Sequence, residues 1–198
     1  MDKKDLVAAL KSTAKAESEL LDRYPAQLSE EKLAFLGPWT AWKVQVQAPN
    51  HPVFLYVVHK PGDCAWVISR GAKEYDLFRD QVKPEVKDEA AAIEAAQWFL
   101  RATGGKRFWL IQKLEDIPFL PEVAGDEART RAVQEARTRL TGKVTAPSVA
   151  CVDGDFSVRV CGMLDRTLFA YTVTVTGSGR ITYQTERIAD ELPVVWVR

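Results

Sequence analysis

Histidine and cysteine are scarce in this chain, which has two of the first and three of the second in 198 residues. Three cysteines are too few, and odd in number, for a disulfide framework. Two histidines leave little material for a metal site or a general-base network, and neither paired zinc-ligand spacing nor a phosphate loop occurs. An excess of one charge is lacking too: 27 basic residues balance 27 acidic ones, so the field that draws in nucleic acid or anionic lipid is missing. No apolar run approaches the roughly 20 residues of a spanning helix. Met1-Asp2-Lys3-Lys4-Asp5 reads as the charged start of a helix rather than as a secretory signal. Together these absences predict a cytoplasmic protein with no cofactor, no metal, no membrane segment and no nucleic-acid partner.

What is present is strongest in the last fifty or so residues. Asp153-Gly154 is a two-residue hairpin signal, because such a turn needs positive φ and these residues tolerate it. Counting outward pairs Val152 with Asp155, Cys151 with Phe156 and Val149 with Val158, with Val160 on the same face. A turn at Gly162-Met163-Leu164-Asp165 would set Phe156 against Tyr171 and Val158 against Phe169. Gly177-Ser178-Gly179 then aligns Val175 with Ile181 and Val173 with Tyr183. One face is apolar, while the other carries Ser157, Arg159, Thr172, Thr174, Thr182, Gln184 and Glu186. A cover is required, and the expected one is the segment Asp126 to Leu140, capped by Asp126, stopped by Gly142, and striped with Ala128, Ala132, Val133, Ala136 and Leu140.

Upstream, Leu6, Ala9, Leu10, Leu20, Leu21 and Tyr24 predict helix over residues 5 to 24, ended by Pro25, and Ser29 to Leu36 predicts a second, short one. Trp42, Val44 and Val46 alternate with polar residues as in a half-buried strand. Val53 to Val58 reads as a strand covered on both faces. Pro61-Gly62 turns the chain into a strand from Ala65. Asp88 caps a helix that Gly104-Gly105 ends, and Phe108 to Ile111 is a buried strand. The expected fold is α+β, in two layers of helix plus antiparallel sheet, the C-terminal one a helix followed by a four-stranded meander. Glu115 to Gly125, with two prolines, is the expected boundary between parts 1–121 and 122–198, which can also pack as one domain.

Trp98-Phe99-Leu100-Arg101 with Gly104-Gly105-Lys106-Arg107-Phe108-Trp109-Leu110-Ile111, and Asp153-Gly154-Asp155-Phe156 with Leu168-Phe169-Ala170-Tyr171, Gly179-Arg180-Ile181 and Leu192-Pro193-Val194, together form a pattern. Over residues 85 to 195 it resembles a family of uncharacterised bacterial proteins. The resemblance implies a bacterial cytosolic protein and carries over no catalytic positions. The helix-plus-meander order is similar to cystatin-like and NTF2-like folds, a likeness of architecture that fixes no function.

His59 and Cys64 are the candidate catalytic pair. If Pro61-Gly62 is a two-residue turn, they face each other with Cβ atoms ~5 Å apart, and the imidazole lowers the thiol pKa to give a nucleophile. A longer loop would move them out of register. His51, His59, Asp63 and Cys64 match no zinc spacing. Gly104-Gly105-Lys106 follows a helix and enters a strand, the reverse of a phosphate loop. Trp42, Trp66, Trp98 and Trp109 sit in apolar elements and read as core, whereas Trp39 and Trp196 are candidate partner anchors. Arg159, Gln184 and Glu186 are candidate surface contacts on the polar sheet face. The function expected is a non-enzymatic binding or regulatory protein, with a protein partner or self-association. The alternative is a small-molecule-binding enzyme with a cleft between the two parts near His59 and Cys64.

Overall fold

Asp2 opens the first helix with reciprocal caps: the Asp5 N–H donates to Asp2 Oδ1 (2.9 Å) and the Asp2 N–H to Asp5 Oδ2 (3.3 Å). The computed structural model describes residues 2–121 and 125–195. The expected single helical run to Pro25 is two helices, α1 (Lys3–Leu10) and α2 (Lys15–Arg23). The chain breaks at Ala14, which is buried and non-helical. It must fold back there for Leu6, Leu10 and Leu21 to reach one sheet face. Ser18 Oγ donates to the Val7 carbonyl (2.8 Å) and Lys3 Nζ to the Asp22 carbonyl (3.2 Å), which ties the two antiparallel.

The helix expected at Ser29 to Leu36 is instead strand β1 (Ala26–Glu31) and one 3₁₀ turn at Ala34–Leu36. Alternation wins over capping chemistry, because Ala26 and Leu28 pack under the helical hairpin while β1 pairs along β2 (Thr40–Val46). Strands β3 (Val53–His59) and β4 (Ala65–Val67) complete a four-stranded antiparallel sheet in chain order. Trp42, Val44, Val46, Leu55, Val57 and Val67 form its face beneath α1 and α2. On the other face only one end is covered: Ala41 and Val58 are fully buried, whereas Phe54 is 39% exposed. The reading of Val53 to Val58 as covered on both faces therefore holds only for its second half.

Helix α3 (Ala72–Val82), which sequence periodicity did not call for, buries Tyr75 and Phe78. Its Tyr75 hydroxyl donates to the Gly179 carbonyl (2.9 Å), so it is pinned to the second sheet. Helix α4 (Glu89–Thr103) is capped as expected, with the Ala91 N–H donating to Asp88 Oδ1 (2.8 Å), and Gly105 at φ +78° turns the chain away.

The second sheet contains β5 (Phe108–Ile111), then, after α5 (Glu127–Leu140), the meander β6 (Ser148–Val152), β7 (Asp155–Leu164), β8 (Thr167–Val175) and β9 (Ile181–Ala189). β6 and β5 share one edge of β7, against its first and second halves, and β8 and β9 follow on the other. Since β5 precedes residue 121 and β7 follows it, this sheet spans the expected boundary. A bridge between Phe119 and Val194 does the same.

The β6/β7 register is the expected one, but that of β7/β8 is not: Phe156 pairs with Val175 and Tyr171 with Val160. The turn lies at Asp165, φ +56°, while Gly162 is inside β7. The slip is four residues, an even number, so every side chain keeps its face. The cover is corrected as well. Val158, Val160, Tyr171, Val173 and Val175 lie in one core with Ala91, Ala92, Ala95, Ala96, Trp98 and Phe99 of α4. Small residues on α4 let it approach the sheet closely. Helix α5 packs on the opposite face, where Val133, Ala136 and Leu140 meet Cys161, Met163 and Leu168, and its Ala128 and Ala132 are exposed. Tyr183, expected within the covered face, is 49% exposed at the rim.

Because α4 also packs on Phe35, Leu36, Ala41 and Val58, it is the shared layer between the two sheets. Beyond its C-terminal end the sheets are no longer bridged, and a cleft opens.

Candidate functional site

The expected cross-strand pairing of His59 with Cys64 does not form. Lys60 to Asp63 is a tight turn closed by the Asp63 N–H to the Lys60 carbonyl (3.0 Å), but Cys64 is an extra residue beyond it. His59 therefore faces Ala65. The two side chains are also tuned the wrong way for a thiolate and its base. Burial first, then the Asp63 carboxylate, pushes the Cys64 thiol pKa up. Burial pulls that of His59 down against the opposing pull of Asp5 and Asp63, so the ring is held neutral in a nearly closed site with 6% exposure. Among the described residues no cluster of three or more histidine, cysteine or acidic side chains is placed to hold a metal. Among them, too, no helix is long and apolar enough to cross a membrane.

Trp39 is half-buried against the central core, with Lys60 Nζ 5.7 Å from its ring centroid. Trp196 lies outside the described residues. Arg159, Gln184 and Glu186 do share one face of the second sheet, on the part of it that α5 leaves uncovered. Arg159 lies across from Thr172, which lies across from Gln184, and Arg159 Nη2 is 3.4 Å from Glu186 Oε2. Both charged side chains of that pair are largely solvated, which makes it a weak contact on a flat surface.

The concave site is the cleft where α4 ends, a space of about 660 Å³, within the size range of small-molecule pockets. One wall is the uncovered half of the first sheet, presenting Lys43 from β2 and Phe54 and Tyr56 from β3. The other is the end of α4 and the start of β5, presenting Arg101, Lys106, Phe108, Trp109 and Leu110. Ser69 and Gln112 add polar edges, and no carboxylate lines it among the described residues.

Each wall residue is placed by a local cause. Lys43 and Tyr56 are cross-strand partners, so they stand side by side on one face. Lys43 Nζ sits 5.8 Å from the Phe54 ring centroid. The Tyr56 N–H donates to Ser69 Oγ (3.2 Å) rather than to a strand. Arg101 Nη2 donates to Glu31 Oε2 (3.2 Å), while its Nε is buried without a hydrogen-bond partner. Burial raises the Tyr56 pKa, with Arg101 lowering it and Glu31 raising it, so the phenol stays protonated. The cleft thus offers cations and a phenolic hydroxyl beside one exposed ring, Phe54, and the half-buried rings of Tyr56 and Trp109.

Sequence reasoning named none of these residues as a site. The only signal was indirect: Phe54 lies in an apolar run that reads as covered on both faces, while Lys43 fits its strand's alternation. Compared with known proteins, the chain matches no family model, no curated protein and no solved structure.

Proposed function

We propose that this chain is a non-enzymatic binding or regulatory protein of the cytoplasm whose ligand occupies the cleft between the two sheets. The observation that carries this reading is a cleft, lined by no carboxylate among the described residues, in which Lys43, Arg101 and Lys106 stand among Phe54, Tyr56 and Trp109. Phe54 leaves apolar area open to water beside these cations, and a ligand laid on it would gain by covering that area. An enzyme built on His59 and Cys64 is not favoured, because neither lines the cleft and their tuning opposes nucleophile activation. The cystatin-like or NTF2-like likeness of the C-terminal part enters as architecture and assigns no ligand.

A fragment library read by ligand-observed NMR tests this. Binders whose signals vanish with Phe54→Ser, but persist with Gln184→Ala, support the cleft. Binders lost with Gln184→Ala or Trp39→Ala and indifferent to Phe54→Ser move the function to a protein-docking or self-association surface.

A further inference from the structure

Resting on that reading, we infer that the cleft takes a planar ring system bearing an anionic group, a carboxylate or a phosphate, with the ring against the aromatic wall and the anion between the lysines. The charge of the lining has one sign. Lys43 and Lys106 come from opposite walls, and neither forms an ion pair among the described residues, whereas Arg101 is held by Glu31. Arg101 keeps 41% of its side chain exposed even so, which leaves it able to contact an anion while Glu31 fixes its position. The aromatic part of the argument is the exposure of Phe54 on the open half of a sheet face whose covered half is dry. A flat ring laid there buries what the protein leaves open, next to the half-buried Tyr56 and Trp109. A ring without charge leaves the lysines unanswered, and an aliphatic acid leaves the rings so.

Isothermal titration of the full chain with four probes tests this: 2-naphthoate, 2-naphthyl phosphate, 2-naphthamide and cyclohexanecarboxylate. The expected result is that at least one naphthyl anion binds about tenfold or more tighter than both the amide and the cyclohexane acid. Which anion wins separates carboxylate from phosphate ligands. Lys43→Met with Lys106→Met should remove that preference while Lys143→Met keeps it, with unchanged unfolding temperature as the folding control. Equal affinity for naphthoate and naphthamide, or a preference that survives the double variant, overturns the anionic half. Equal binding of the cyclohexane acid overturns the ring. If none of the four binds while library fragments still occupy the cleft, this inference fails and the cleft reading stands; an empty library screen removes both.

Discussion

Arg101 Nη2 lies 3.2 Å from Glu31 Oε2, joining the last turn of α4 to the outermost strand of the first sheet at the mouth of the cleft. The contact is partly solvated, so its value is in placement more than in stability. A double-mutant cycle of Glu31→Gln and Arg101→Met should give a coupling below about 1 kcal/mol by urea denaturation. A much larger coupling would mean the pair is a structural lock.

Gly162 is a packing position. A Cβ there would stand 2.7 Å from the Phe108 ring and 3.2 Å from Tyr171. Gly162→Ala should destabilise by about 1–3 kcal/mol through overpacking. Gly177→Ala, whose Cβ would meet nothing closer than 3.8 Å, should be much milder in the same denaturation assay. If Gly162 were the turn residue its sequence neighbourhood suggests, the order would reverse.

Thiol reactivity should follow exposure and pKa direction. Cys151 is exposed, Cys64 is half-buried with its pKa raised, and Cys161 is buried. Labelling with a disulfide reagent at neutral pH should therefore modify Cys151 first and Cys161 last. Fastest labelling at Cys64 would revive the activated-thiol idea.

His59 contributes a defined pH dependence. Its folded pKa is depressed by burial, so between the folded and unfolded values the unfolded chain binds more protons, and stability rises with pH. The contribution is complete above the unfolded pKa of about 6.5 and is lost as pH falls through the folded value. Denaturation midpoints of the native chain should fall from pH 7.5 towards pH 5.5 by more than those of His59→Leu; parallel curves would show that His59 titrates normally.

How much was legible in the sequence varies with the range of the interaction. Asp153-Gly154 set its hairpin register because the turn is local. The β7/β8 register slipped by four because Gly162 looks like a turn residue from its neighbours alone, and only Phe108, more than fifty positions earlier, explains its smallness. The α+β class and the apolar face survived because an even slip preserves side-chain direction. The roof was misassigned because α4 and α5 both carry alanine stripes, and periodicity does not say which sheet face a helix covers. His59 and Cys64 parted because one residue beyond the turn changes register. The cleft was invisible for a related reason: Lys43, Phe54, Arg101 and Trp109 come from four elements, and none of the four departs from its local pattern enough to announce a site.

The central claim is that ligand enters between the sheets where α4 ends. Its most direct test is a ¹H–¹⁵N correlation spectrum of the labelled chain titrated with 2-naphthoate. The account predicts shifts concentrated at Lys43, Phe54, Tyr56, Lys106, Trp109 and Gln112. Shifts concentrated instead at Arg159, Gln184 and Glu186, with the cleft amides unmoved at saturation, would contradict it.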